Sequence, residues 1–81
     1  QYMRVFITGA SSGIGEHLAY VYARRGAHLG LAARRKDHLS RVAKACNKFN
    51  ATVEIYPIDV QQTKTCKEAA EAFLQTAGGI D

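Results

Sequence analysis

Short apolar runs alternate with amphipathic stretches along most of this chain. The apolar runs are strand-length, and the stretches between them repeat their apolar positions at helical spacing. The pattern predicts strands at about residues 3–8, 28–33 and 52–58, and helices at about 13–25, 36–48 and 63–77. Ile80-Asp81 would begin a fourth strand. Six alternating elements therefore account for nearly the whole sequence.

The first helix has the clearest boundaries. The β-forming run Val5-Phe6-Ile7 ends at Thr8-Gly9, a helical period follows from Gly13, and Gly26 is a typical C-terminal stop. At 3.6-residue spacing the apolar stripe of this helix consists of Ile14, Leu18, Val21 and Tyr22. The second helix, by contrast, has no good N-cap at Arg35.

Strand and helix alternate three times with short connections, which is typical of a parallel sheet with right-handed crossovers. The predicted class is α/β, a doubly wound parallel sheet, with the second strand beside the first. These three units make only the first half of such a sheet. With the other half missing, the first strand would have an edge open to water. We therefore expect residues 1–81 to be the N-terminal part of a single domain in a longer chain.

Composition agrees with a soluble globular protein. Hydrophobic residues make up 47% and charged residues 22% of the 81 residues. No apolar run approaches the roughly 18 residues of a membrane span, and the N-terminus lacks a signal-like segment. Cys46 and Cys66 are too few for a disulfide scaffold and fit no zinc pattern. We expect a cytoplasmic protein with reduced cysteines, no metal site and no membrane partner.

Eleven Lys and Arg against seven Asp and Glu leave a net charge of +4. Such a charge suits a nucleic acid, an acidic surface or an anionic small ligand. The few aromatic residues do not interleave with the basic ones, so the stacking platforms of a nucleic-acid-binding protein are missing. On charge alone, the tightest basic run, Arg34-Arg35-Lys36, is typical of a solvated helix face.

The strongest local signal is the glycine-rich segment at residues 8–15, Thr-Gly-Ala-Ser-Ser-Gly-Ile-Gly. It stands where the first strand turns into the first helix, which is the context that a pyrophosphate-binding loop requires. Gly9 would permit the tight turn, Gly13 would let a ligand approach the backbone, and Gly15 would let the helix pack closely on the sheet. The free N–H groups around residues 12–15 would then face the phosphates, supported by the helix dipole.

Two other interpretations of this segment are weaker. Isolated glycines often serve only turns and packing, but here they open a helix inside a strand-helix-strand unit. A nucleoside-triphosphate P-loop fits poorly, because Gly13 is followed by Ile14 instead of Lys and Ser or Thr. The glycine-rich segment therefore predicts a dinucleotide-binding loop.

The end of the second strand indicates which dinucleotide is bound. An acidic residue at this point would hydrogen-bond the ribose 2′-hydroxyl of NAD, but Ala33 stands there, followed by Arg34 and Arg35. Guanidinium groups suit a phosphate, and one charge-assisted hydrogen bond is worth about 1.5 to 3 kcal/mol. The sequence thus predicts NADP as the cofactor, with Arg34 at its 2′-phosphate. For Arg35, phosphate binding and a solvated helix start remain equal alternatives.

Asp59 follows the third strand and has two possible roles. It could cap the next turn, or it could accept a hydrogen bond from the adenine amine while the Val60 backbone supplies a second contact. The residues alone leave both roles open.

With these segments in place, the chain resembles the N-terminal part of a short-chain dehydrogenase/reductase over essentially its whole length. The spacing Thr-Gly-x-x-x-Gly-x-Gly and the pairs Ala33-Arg34 and Asp59-Val60 carry the resemblance. It implies a Rossmann-type fold, an NADP-preferring member, an alcohol or carbonyl substrate and a homo-oligomer. It also implies that Asp59 and Val60 flank the adenine. The cofactor-binding residues so predicted are Gly9, Ser11, Ser12, Gly13, Ile14, Gly15, Arg34, Arg35, Asp59 and Val60.

The catalytic Tyr of that family is followed four positions later by Lys, and no such pair occurs here. Tyr2, Tyr20, Tyr22 and Tyr56 all lack it, so we assign no catalytic residue. The leading hypothesis is an NADP(H)-dependent oxidoreductase whose catalytic residues lie outside these 81 residues. The alternative is a non-catalytic NADP(H)-binding sensor or scaffold with the same fold.

Overall fold

The computed structural model describes residues 3–76. Its elements are β1 (Arg4–Thr8), α1 (Gly13–Ala23), β2 (His28–Ala33), α2 (Lys36–Asn47), β3 (Thr52–Pro57) and α3 (Thr63–Thr76). All six predicted elements are present, with boundaries that differ from prediction by at most two residues. The fourth strand predicted at Ile80-Asp81 lies outside the described residues.

The three strands form one parallel sheet in the order β1-β2-β3. In the register, Gly30 of β2 lies between Phe6 of β1 and Glu54 of β3. All six residues of β2 are buried, as expected for a central strand with both faces covered. β1 lies at an edge of this sheet, next to β2, as the sequence predicted. The fold is therefore the α/β doubly wound half-sheet.

Helices cover both faces of the sheet. α1 and α2 lie on one face, where Leu29 and Leu31 of β2 join Leu39, Val42 and Cys46 of α2 in the core. Successive strand residues point to opposite faces, so Gly30 belongs to the other face, and there it lies against Phe73 of α3. The crossover from β3 thus places α3 opposite the first two helices.

Gly30 makes the close approach of α3 possible. A Cβ at this position would come within 2.8 Å of ring carbons of both Phe6 and Phe73. The two ring centroids lie 5.8 Å apart, and the His28 ring is nearly perpendicular to the Phe73 ring, with 5.3 Å between centroids. His28 is 8% exposed and also contacts Glu54 at 3.2 Å, so it is a buried residue on this face of the sheet.

The predicted apolar stripe of α1 is wrong at its first two positions, Ile14 and Leu18, whereas Tyr22 does pack against the core. Ile14 is 80% exposed and Leu18 is 38% exposed, whereas Ala19 and Ala23 are completely buried. The reason is steric: with Gly15, these alanines form a row of small residues at four-residue spacing, and α1 turns this row to the sheet. Small side chains allow a close helix-sheet contact that the larger apolar residues would prevent.

Both cysteines are free thiols. Cys46 is fully buried in the core, and burial raises the pKa of its thiol. Cys66 is half-buried on α3. A buried thiol with a raised pKa is a poor nucleophile, so Cys46 is a packing residue.

Candidate functional site

The carboxyl ends of the three strands are tied together by backbone hydrogen bonds. The Ala10 N–H, just after β1, donates to the carbonyl of Ala32 in β2 at 3.2 Å. The Ile58 N–H, just after β3, donates to the carbonyl of Ala33 at 3.0 Å. The glycine-rich segment, Arg34 and Asp59 therefore follow strand ends that meet at one edge of the sheet, where ligands bind in open α/β sheets.

Two glycines of this segment have a left-handed backbone. Gly9 has φ +65° and Gly13 has φ +59°, a region that other residues rarely enter. A Cβ on Gly13 would meet no atom within 4 Å, so the space beside it is open. This geometry agrees with a tight turn at Gly9 and with an unobstructed approach to the backbone at Gly13.

Gly15 is required for a different reason. A Cβ on this residue would collide with the backbone carbonyl of Gly9, and it would stand only 2.8 Å from the carbonyl carbon. It would also lie 3.1 Å from the Cα of Ala10. The first turn of α1 therefore rests directly on the loop, whereas the sequence predicted that Gly15 serves close packing of the helix on the sheet.

The N-terminus of α1 lacks a side-chain cap. Ser12 is the N-cap residue, but its hydroxyl makes no capping hydrogen bond, and its carbonyl accepts from the Glu16 N–H at 3.3 Å. Ser12, Gly13 and Ile14 are all exposed. Uncapped N–H groups at an exposed helix start, together with the helix dipole, suit an anion such as a phosphate.

Arg34 and Arg35 are both exposed directly after β2. Arg35 is the N-cap residue of α2 and provides no side-chain cap, as the sequence analysis expected. Ala33, where an acidic residue would be expected for NAD, is 5% exposed. The guanidinium groups are thus accessible at the same edge as the glycine-rich segment.

Asp59 performs the capping role that the sequence left open. Its Oδ1 accepts from the Gln61 N–H at 3.0 Å, and its carbonyl accepts from the Gln62 N–H, also at 3.0 Å. A carboxylate has further acceptor capacity, so capping is compatible with a contact to adenine. Both Asp59 and Val60 are half-buried.

Two of the hollows in the described part of the chain bear on the location of the site. One, of about 350 Å³, lies between β1 and α3 and is lined by Phe6, Thr8, Val60, Thr63, Cys66, Lys67 and Ala70. A larger one, of about 950 Å³, lies between α2 and the outer side of β3, with Val53 and Ile55 in its floor. No predicted cofactor-binding residue lines the larger hollow, so it does not mark the candidate site.

A polar cluster between α1 and α2 escaped the sequence analysis. The Tyr20 hydroxyl donates to Glu16 Oε2 at 2.6 Å, and Arg41 Nη1 donates to the same oxygen at 3.3 Å. The hydrogen bond from Tyr20 lowers the pKa of the Glu16 carboxyl, and the hydrogen bond from Arg41 lowers it further by a smaller amount. The same hydrogen bond is the main reason that the pKa of Tyr20 is raised. The four-residue spacing of Glu16 and Tyr20 was a visible signal, but the contact with Arg41 depends on the packing of the helices.

Metal-ligating clusters and membrane-spanning helices are both absent from residues 3–76. No group of three His, Cys, Asp or Glu side chains in this range is placed to hold a metal ion. No helix in the same range is long and apolar enough to cross a membrane.

The fold and the loop define a nucleotide-binding βαβ unit, and comparison with known proteins gives its family. The model of the short chain dehydrogenase family matches residues 3–81. The chain belongs to the short-chain dehydrogenase/reductase family. It is 50% identical over 78 residues to 11-beta-hydroxysteroid dehydrogenase-like 4A from Arabidopsis thaliana, covering 95% of this chain and 26% of that protein.

Solved structures give the same fold. Alcohol dehydrogenase from Thermococcus sibiricus, complexed with 5-hydroxy-NADP, matches with a TM-score of 0.88 and 33% identity. The match covers 100% of this chain and 35% of that protein. L-sorbose reductase from Gluconobacter frateurii, complexed with NADPH and L-sorbose, matches with a TM-score of 0.88 and 34% identity over 100% of this chain and 31% of that protein. The chain thus spans about a quarter of the Arabidopsis protein and about a third of each solved chain.

Proposed function

We propose that this chain is the N-terminal part of a Rossmann domain in an NADP(H)-dependent oxidoreductase. The whole protein would transfer hydride between the nicotinamide and an alcohol or carbonyl substrate. The described residues would hold the adenosine-phosphate half of the cofactor, and catalysis would depend on residues outside this chain.

One observation carries the proposal. The uncapped N-terminus of α1 and the exposed Arg34 and Arg35 follow neighbouring strand ends, which the Ala10 to Ala32 hydrogen bond joins at 3.2 Å. NADP carries two anionic groups, a pyrophosphate and a 2′-phosphate, so two adjacent anion-binding segments match its chemistry. NAD would leave the arginines without a phosphate.

The pyrophosphate would lie against the loop made of Gly9, Ser11, Ser12, Gly13, Ile14 and Gly15. Its oxygens would accept hydrogen bonds from the N–H groups at the start of α1, where Ser12 provides no cap. Asp59 and Val60 would stand beside the adenine, with Asp59 keeping its hydrogen bond to the Gln61 N–H. Each of these roles is compatible with the hydrogen bonds already made by the described residues.

The structural relatives support the choice of cofactor and substrate class. Both solved structures named above, each more than 30% identical to this chain, contain an NADP-type cofactor. Their names denote an alcohol dehydrogenase and a sugar reductase, which act on alcohol or carbonyl groups. An alcohol or carbonyl substrate is therefore the class to test first.

The substitution Arg34→Ala tests the cofactor assignment. Loss of one charge-assisted hydrogen bond is expected to weaken NADPH binding by at least about tenfold, while NADH binding stays nearly unchanged. The measurement is a fluorescence titration of the full-length protein with each cofactor. Lys48→Ala is the control, because Lys48 is an exposed cation at the opposite end of α2 and should leave both affinities unchanged.

An equal loss for both cofactors would contradict the assignment of Arg34 to the 2′-phosphate. A wild-type protein that binds neither cofactor would overturn the proposed function itself. Binding of NADPH without turnover of any alcohol or carbonyl would instead favour the sensor hypothesis.

Gly13→Ala tests the loop. The added Cβ meets no protein atom within 4 Å, so the protein should lose only about 1–2 kcal/mol of stability from the left-handed backbone. The same Cβ would occupy the space proposed for the cofactor, so NADPH and NADH binding should both fall by about tenfold or more. Calorimetric titration of the full-length variant measures this loss. Unchanged affinity for both NADPH and NADH would mean that the cofactor does not bind against the backbone of Gly13.

A further inference from the structure

Three side chains link the first two helices of the fold. Glu16 Oε2 accepts hydrogen bonds from the Tyr20 hydroxyl at 2.6 Å and from Arg41 Nη1 at 3.3 Å. The side chain of Glu16 is 23% exposed and that of Arg41 is 58% exposed. Tyr20 is half-buried and packs against the core. One partly buried carboxylate thus receives a donor from each helix.

The link lies in the first turn of α1 and near the middle of α2, the two helices that begin at the proposed cofactor site. Glu16 is in the first turn of α1, and its N–H donates to the carbonyl of Ser12 at 3.3 Å. Arg41 belongs to α2, which begins directly after Arg34-Arg35, and the Arg35 carbonyl accepts from the Leu39 N–H at 3.0 Å. The link therefore joins the helix that starts at the glycine-rich segment to the helix that starts at the arginines.

The distance between these two helix starts matters for one cofactor more than for the other. NADP must place its pyrophosphate and its 2′-phosphate on two anion-binding segments at once, whereas NAD needs only the first. Holding both segments at a fixed separation reduces the ordering that binding must otherwise supply. A link between α1 and α2 should therefore strengthen NADPH binding with little effect on NADH.

We propose that Glu16 is a positioning residue for cofactor selectivity, which fixes α2 relative to the start of α1 through Arg41, while Tyr20 orients its carboxylate. The proposal rests on the proposed function, because it requires that Arg34 or Arg35 meets the 2′-phosphate. Glu16 itself needs no contact with the cofactor. Its effect passes through the two helices.

A long-range charge effect is the main rival explanation, and it predicts different signs. Removing the negative charge of Glu16 would tighten binding of an anionic cofactor, whereas removing the positive charge of Arg41 would weaken it. The double variant Glu16→Gln with Arg41→Gln keeps the net charge, so the two charge effects would cancel. Loss of a positioning link gives weaker NADPH binding in all three variants.

The experiment is a double-mutant cycle in the full-length protein, with the NADPH and NADH dissociation constants of each variant measured by fluorescence titration. Each single variant and the double variant should bind NADPH about three- to fivefold more weakly, with NADH affinity within about twofold of wild type. The double variant should lose no more than the worse single variant, because both substitutions break one link.

Two further variants complete the design. Lys44→Gln removes an exposed positive charge from the same helix without touching Glu16, and it should leave the ratio of NADPH to NADH affinity unchanged. Tyr20→Phe removes one donor without changing the net charge, and it should lower that ratio in the same direction as Glu16→Gln. Thermal unfolding of every variant verifies that the cofactors are titrated against folded protein.

Tighter NADPH binding by Glu16→Gln, or an unchanged ratio in the double variant, would overturn the positioning role. A similar loss of both cofactors in every variant would also overturn it, because a general structural defect does not discriminate between them. Failure of the proposed function is recognised separately, since the wild-type protein would then show no preference for NADPH.

Discussion

Gly15→Ala is expected to destabilise the protein by about 3 kcal/mol and to abolish measurable cofactor binding. The new Cβ would collide with the carbonyl of Gly9 and would stand 3.1 Å from the Cα of Ala10. Both neighbours are backbone, so the collision can be relieved only if α1 moves away from the loop. That movement would also break the small-residue contact of Ala19 and Ala23 with the sheet. Urea unfolding and NADPH titration of the full-length variant measure the two losses.

Gly13→Ala is a matched control for this prediction, because it makes the same chemical change two residues earlier. Its Cβ meets nothing within 4 Å, so its stability loss should be clearly smaller, while cofactor binding still falls. If Gly15→Ala unfolds at the same urea concentration as wild type, the close contact between α1 and the loop has no energetic importance. The steric role of Gly15 would then be wrong.

Most of the fold could be predicted from the sequence because each helix and strand has a clear local residue pattern. The composition of the run Val5-Phe6-Ile7 is enough to predict a parallel strand, although only Ile7 of the run is fully buried. Gly26, with φ +77°, ends the helical stretch before β2. The place of β2 beside β1 also followed, because the connections are short and the crossovers have one hand. The place of β3 on the other side of β2 is known from the structure alone.

The buried face of α1 could not be predicted in the same way. Hydrophobicity favours Ile14 and Leu18, but the helix turns Ala19 and Ala23 inward because the sheet is too close for larger side chains. The close contact of Gly15 with the backbone of Gly9 and Ala10 is likewise absent from the hydrophobic pattern. Hydrophobic periodicity identifies the buried face of a helix only where the distance between the helix and the sheet leaves room for large side chains.

The candidate site likewise has a part that local sequence predicts and a part that depends on tertiary packing. The glycine-rich segment and Arg34 could be located because they follow predicted strand ends, and such ends meet at one edge of a parallel sheet. The contact of Arg41 with Glu16 bridges residues 25 positions apart and depends on how α1 and α2 pack. For Asp59, the sequence did not decide between capping the next turn and contacting adenine. The hydrogen bond from the Gln61 N–H establishes the capping role, and the adenine contact stays a prediction.

Phe73→Ala should produce the largest loss of stability, about 3–5 kcal/mol, because it empties the contact between α3 and the sheet. Phe73 is 2% exposed, and its ring covers Gly30, which has no side chain to fill the space. The Phe6 ring at 5.8 Å and the His28 ring at 5.3 Å would each lose their aromatic neighbour. The free energy of unfolding in urea measures the effect in the full-length protein.

Leu74→Ala is the control on the same helix, since Leu74 is 40% exposed and should change stability by only about 0.5 kcal/mol. The loosened α3 also has a functional consequence, because this helix follows the turn that carries Asp59 and Val60. NADPH and NADH affinity should therefore fall together in Phe73→Ala, since both cofactors carry adenine. A selective loss of NADPH would mean that α3 supports the arginines after β2 and not the segment after β3.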